Sequence, residues 1–184
     1  MSAIHLLAVG DVNSRLLDDV AVGLEQAFRC DCRALGARLS PDFAFHPVRL
    51  QYHSTEILGR LRAFVQPDTW RLLAVTELDL YIPILTFVFG EAQVGDSCAI
   101  VSAHRLRQEF YGLPPDDFLL RERLIKEAVH ELGHTLRLPH CDDYGCVMAG
   151  SHAVEWIDLK GSAFCRRCAF TQEVSASTGS VPRR

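Results

Sequence analysis

Residues 130–141 read HELGHTLRLPHC. His130 and His134 stand four residues apart. On an α-helix four residues sweep about 400°, so both imidazoles leave the same face one turn apart and can grip one zinc ion without straining the helix. Glu131 is turned about 100° from His130, which takes it out of the ligand set. It remains able to take a proton from water at the ion, the task of a general base. A third ligand has to come from beyond the helix. His140 supplies it if the chain turns sharply after Thr135. Pro139 disfavours helix at Leu138 and lacks an N–H, which predicts a helix end near Leu136 or Arg137. Such a turn calls for positive φ, which glycine adopts freely. Arg137 costs about 1–2 kcal/mol in that geometry, an amount metal ligation can offset. The competing expectation is a helical histidine pair that binds nothing.

A second set of ligand-type residues begins at once. Cys141 follows His140, Cys146 lies five residues on, and Cys165 and Cys168 form a C-x-x-C. Four thiolates make a closed tetrahedral set, as in structural zinc sites, and zinc there would hold together a lobe with few apolar residues. Two disulfides, four free thiols, or a zinc ribbon for nucleic acid are the other readings. The last has only Arg166 and Arg167 to offer as a basic surface. Cys30, Cys32 and Cys98 lack such spacing and are expected to be buried small residues. His5, His46, His53, His104 and His152 are expected to be surface or hydrogen-bonded histidines.

These groups need a scaffold. Residues 3–9 (AIHLLAV) are an apolar run of strand character. Residues 13–29 carry Leu16, Leu17, Val20, Leu24, Ala27 and Phe28 on one helical face, with Asn13 or Ser14 as N-cap. Two short strands are expected within 31–50. Ser54 or Thr55 is expected to cap a second helix, which is closed by Pro67. Strands are expected at 70–76, 84–89 and 98–103, separated by turn signals. A long helix begins after Leu113-Pro114-Pro115-Asp116 and runs into the histidines. Beyond Pro139 periodicity fades, and residues 173–184 read as a polar, disordered tail. This order predicts an α/β (α+β) fold, with helices backing a twisted mixed sheet and a small C-terminal lobe stapled by zinc. One domain is expected over 1–172, divided into an upper part (about 1–136) and a lower part (about 137–172).

The chain has 184 residues, an apolar fraction of 48% and a formal net charge of −4. That balance and the absence of a basic block argue against nucleic acid and anionic membrane as main partners. No stretch is long and charge-free enough to span a bilayer. The N-terminus lacks the basic start of a signal peptide, so the cytoplasm is the expected compartment and a monomer the expected state.

The series His130-Glu131-x-x-His134, His140-Cys141-x4-Cys146-x-Met148, then Phe164-Cys165-x-x-Cys168, resembles the archaemetzincins over residues 130–168. The one departure is Arg137 where the motif has glycine. The resemblance implies a metzincin-like, zincin-like fold and a zinc metallopeptidase with two zinc ions, aminopeptidase-like in some members. It implies that His130, His134 and His140 hold a catalytic zinc, with Glu131 as general base. It implies a structural zinc on Cys141, Cys146, Cys165 and Cys168. Met148 would be the Met-turn residue beneath the histidines, a role close to that of a plain core methionine. In such a fold the strand bordering the cleft pairs with extended substrate. Residues 85–92, with Phe87, Val88, Phe89 and Gly90, are the candidate, an interior strand being the alternative. The implied partner is a peptide or protein substrate. The competing function is a non-catalytic peptide- or protein-binding chain in which only the cysteine zinc is firmly bound.

Overall fold

The structure is a computed structural model that describes residues 2–169. The expected tail at 173–184 lies outside the described residues. The apolar run near the N-terminus forms strand β1 (Ala3–Val9), and the amphipathic segment after it forms helix α1 (Ser14–Phe28), with the Asn13 side chain accepting from the Arg15 amide at its N-cap. β2 (Cys32–Leu39), β5 (Thr69–Thr76), β7 (Gly90–Ala92) and β8 (Cys98–Ser102) join β1 in a five-stranded sheet of order β2-β1-β5-β8-β7. All neighbours run parallel except β7, which pairs antiparallel with β8 at the sheet edge. Strands β3 (Phe45–His46), β4 (Gln51–His53) and β6 (Leu80–Tyr81) make a second, small sheet.

The central strands are buried on both faces, as parallel strands covered by helices are. Period-two alternation sorts their side chains. Ile4, Leu6, Leu73, Val75, Ala99 and Val101 face α1 and the long helix α3 (Asp117–Thr135). Leu7, Val9, Leu72, Ala74 and Ile100 face α2 (Ser54–Leu61) on the other side, with Ile57, Leu58 and Leu61 closing that core. The mixed sheet with helices on both faces is the expected class.

Four expectations need correction. The segment 31–50 contains one long strand and one short strand, not two short ones, and β4 begins at Gln51. The N-cap of α2 is His53, while the Ser54 hydroxyl instead shares its one proton between Tyr81 O at 3.1 Å and the Glu91 carboxylate. The expected strand at 84–89 is mostly irregular. Its carbonyls at Leu85 and Thr86 accept from the Arg49 and Gln51 side chains, so no neighbouring strand satisfies them, and regular pairing starts only at Gly90. The lobe beyond Pro139 contains a short helix, α4 (Val154–Leu159).

Candidate metal centre

α3 has an irregular apolar period because its buried side is partly polar. Arg123, Glu127, His130 and Glu131 are all buried along it. Its end is a Schellman turn. The Arg137 amide donates to His134 O at 2.9 Å and the Leu138 amide to Gly133 O at 3.2 Å. Arg137 takes the left-handed position with φ of 65°, so an arginine makes the turn that glycine normally makes. Its guanidinium packs flat over Gly95 in the β7–β8 turn. A β-carbon on Gly95 would lie 2.7 Å from Arg137 Cζ. The Arg137 side chain therefore does not line the histidine cleft.

The turn has a direct consequence for the histidines. It brings Leu138 O to 2.8 Å from His134 Nδ1, while Val147 O lies 2.9 Å from His130 Nδ1. A carbonyl can only accept, so each Nδ1 carries the proton and each Nε2 presents a lone pair. The two Nε2 atoms are 3.1 Å apart. Neither can donate to the other, so the arrangement is repulsive unless a cation sits between them. Zinc bonded to nitrogens at about 2.0–2.1 Å in a tetrahedron has N···N edges of about 3.3 Å, close to this spacing. One ring nitrogen of His140 joins them, the three ligand atoms lying within 4.8 Å of one another. Burial, the largest cause, pushes all three histidines below their ordinary pKa, and the Lys160 charge adds to it. Neutral imidazoles are what metal ligation requires. The residues fit zinc.

Glu131 lies beside this set on the cleft wall. Burial above all, and the nearby Glu127 carboxylate, raise its pKa well above the ordinary carboxyl range. Its side chain presses on the β7 backbone, so that a β-carbon at Gly90 would lie 2.6 Å from Glu131 Cγ and 2.7 Å from Ile100 O. Phe87, Val88, Phe89 and Gly90 line the same cleft of ≈ 520 Å³ as the three histidines and Glu131. Met148 is fully buried beneath the helix, where a β-carbon on Gly133 would collide with its sulfur.

The cysteines converge equally closely. Their four Sγ atoms lie within 4.8 Å of one another, and Cys141 and Cys165 are 3.8 Å apart. Four sulfurs at about 2.3 Å from a tetrahedral zinc have edges of about 3.8 Å, whereas a disulfide needs about 2.05 Å. The Cys165 amide donates to Cys146 Sγ at 3.3 Å and Arg167 Nη2 to Cys141 Sγ at 3.2 Å. Hydrogen bonding from the Cys168 backbone, the largest cause, lowers the Cys165 thiol to about 7, whereas burial raises those of Cys146 and Cys168. The cluster can hold structural zinc.

The chain matches the model of peptidase family M54 over residues 36–173. It is 41% identical to the archaemetzincin of Methanocaldococcus jannaschii over 160 residues, 87% of each chain. The chain belongs to the archaemetzincins. Two solved structures show the same fold. A zinc-dependent peptidase from Methanocorpusculum labreanum has a TM-score of 0.84 at 33% identity, covering 92% of this chain and 100% of its own. The archaemetzincin of Methanopyrus kandleri has a TM-score of 0.81 at 34% identity, covering 96% of both chains. The archaemetzincins are a zinc metallopeptidase family, and zinc is the metal that both clusters suit.

Sequence reasoning passed over several residues at this centre. Glu127 and His152 line the cleft, and Lys160 is buried behind it with Nζ 2.7 Å from Glu127 Oε1. Two signals pointed there. Glu127 shares the inner face of α3 with His130 and Glu131 at helical spacing, and Lys160 is one of only two lysines in the chain. His152 was expected to be an ordinary histidine, and no ligand spacing marks it. No helix among the described residues is long and apolar enough to cross a membrane.

Proposed function

We propose that the chain hydrolyses peptide bonds, with one zinc held by His130, His134 and His140 and a second by Cys141, Cys146, Cys165 and Cys168. The observation that carries the reading is the pair of His130 and His134 Nε2 lone pairs, 3.1 Å apart beside a buried glutamate. Zinc at such a site supplies Lewis-acid polarisation of a carbonyl and acidifies water. The chain's own residues supply the remaining work. β7 is a sheet edge, and it and the segment before it offer main chain to which an extended peptide can add as a strand. Glu131 is the proton carrier, taking a proton at its carboxylate from water and passing it to the leaving amine. Val147 O and Leu138 O hold the two helical imidazoles in the tautomer that offers Nε2. Met148 gives the helix a dry floor. A cation beside the histidines would disfavour a divalent ion, but the Arg137 guanidinium packs on Gly95 and does not line the cleft, which argues against the non-catalytic alternative.

The test is a peptide-library assay of wild type against Glu131→Ala, with zinc content measured in both. Loss of a general base is expected to lower turnover by about 10²–10⁴-fold while zinc stays bound. Equal activity in the two proteins would refute the proposed chemistry.

A further inference from the structure

The feature the proposed reaction does not use is the buried pair of Lys160 and Glu127. Lys160 is 2% exposed and Glu127 3%. Taking two charges out of water costs several kcal/mol per ion, and an apolar pair of the same size is often at least as stable, so stability alone is a poor reason for this pair. Its position is more informative. α3 carries two of the histidines, and the loop after Pro139 carries His140 and Met148. Lys160 touches both parts. Its Nζ lies 2.7 Å from Glu127 Oε1 on α3 and donates to Ala149 O in the loop at 3.2 Å.

Lys160 is itself held. Its amide donates to Trp156 O at the end of α4, and the next amide, that of Gly161, donates to Gly145 O. α4 is in turn fastened to α3. Arg123 grips Asp158 with two bonds of 2.7 Å, and Lys126 Nζ donates to Ile157 O at 3.0 Å. The far end of this chain of contacts reaches His140. Gly150, directly after Ala149, packs against the His140 ring, so that a β-carbon there would lie 3.2 Å from His140 Nδ1. The rings of His130 and His134 have carbonyl partners at Nδ1, whereas His140 has this packing against Gly150.

We infer that Lys160 is a positioning residue for His140: by tying Ala149 to Glu127 it holds the Ala149–Gly150 backbone against the third histidine. The inference rests on the reading of the three histidines as a metal site. Outer contacts of this kind commonly set metal affinity within a 10–100-fold range.

The test uses the full chain with zinc on its cysteines. Three variants are compared with wild type: Lys160→Met, Lys160→Arg, and the double variant Lys160→Met/Glu127→Leu. The double variant leaves no buried unpaired carboxylate, so it is expected to fold even where the single one does not. Two measurements are made: hydrogen exchange at the Ala149 amide, whose bond to Cys146 O at 2.9 Å reports how firmly the residue with the clamped carbonyl is held, and cobalt(II) titration of the histidine site followed by its absorption spectrum. In the double variant, exchange at Ala149 is expected to quicken, cobalt(II) to bind about 10–100-fold more weakly, and its spectrum to change. Lys160→Arg is expected to keep the Glu127 pair and stay near wild type in both. A folded double variant with wild-type exchange at Ala149 would overturn the inference, as would wild-type cobalt(II) affinity and spectrum. If wild type binds no cobalt(II) at the histidines, the metal reading fails. The exchange measurement then still decides the clamp, faster exchange supporting it and unchanged exchange overturning it.

Discussion

Arg137 offers a clean measurement of what a missing glycine costs a metal site. Its φ of 65° puts a side chain where L-residues are crowded. Arg137→Gly and Arg137→Ala both delete the guanidinium that packs on Gly95, so the loss of that contact cancels between them. What remains is the backbone. Alanine retains the left-handed penalty of about 1–2 kcal/mol, and glycine escapes it. Against this, glycine gives the unfolded chain extra freedom worth about 0.4–1 kcal/mol. Taking the middle of both ranges, the glycine variant should therefore be the more stable by about 0.8 kcal/mol. For a domain of this size that difference corresponds to roughly 1–4 °C in Tm. Thermal unfolding of the two variants at equal, saturating zinc measures it. Both variants should also keep the Leu138 carbonyl under His134, so their histidine-site zinc affinities should agree. If alanine proves equal to or more stable than glycine, Arg137 is not held in the left-handed turn, and the argument that the Schellman turn orients His134 loses its basis.

Two further outcomes follow from the packing around the centre. Gly133→Ala should destabilise the protein by about 1–3 kcal/mol, as overpacking does, because its β-carbon meets the Met148 side chain. Adding Met148→Ala should recover part of that loss in urea unfolding, and strict additivity of the two would refute the contact. On the proposed two-zinc reading, Cys165→Ser should empty both clusters and bring zinc content to well below one per chain, because Cys141 adjoins His140 and its amide is bonded to Met148 O. A variant that keeps one full equivalent of zinc, removable by His134→Ala, would show that the histidine site stands without the cysteine lobe.

Much of the scaffold was legible because local pattern and tertiary burial agree there. β1 and α1 follow the apolar runs and the Asn13 cap nearly residue for residue. The misreadings fall where long-range contacts decide. The 84–89 run has strand composition, but its carbonyl partners are side chains at residues 49 and 51, more than thirty positions away. Ser54 looks like a helix cap, yet its hydroxyl is taken by Tyr81 O and Glu91. α4 is six residues long, too short for a period to show. The ligand types were plain in the spacing, whereas the buried Glu127–Lys160 pair behind them appears only once α3 and α4 are docked.

The junction at His140–Cys141 shows why spacing alone could not rank the two sites. Read along the chain, Arg137 weakens one motif. In three dimensions the same turn is fixed from several sides at once: by Arg137 on Gly95, by the Gly95 amide donating to His134 O, and by the Cys141 amide donating to Met148 O. The first two join the β7–β8 turn to the end of α3 and its C-terminal turn, and the third joins the cysteine lobe to Cys141. The cost of a left-handed arginine is about 1–2 kcal/mol, and a few such bonds, at about 0.5–1.5 kcal/mol each, are enough to offset it. The position that looks like a flaw in the linear motif is thus supported by contacts that no linear motif contains, and the arginine adds one of them.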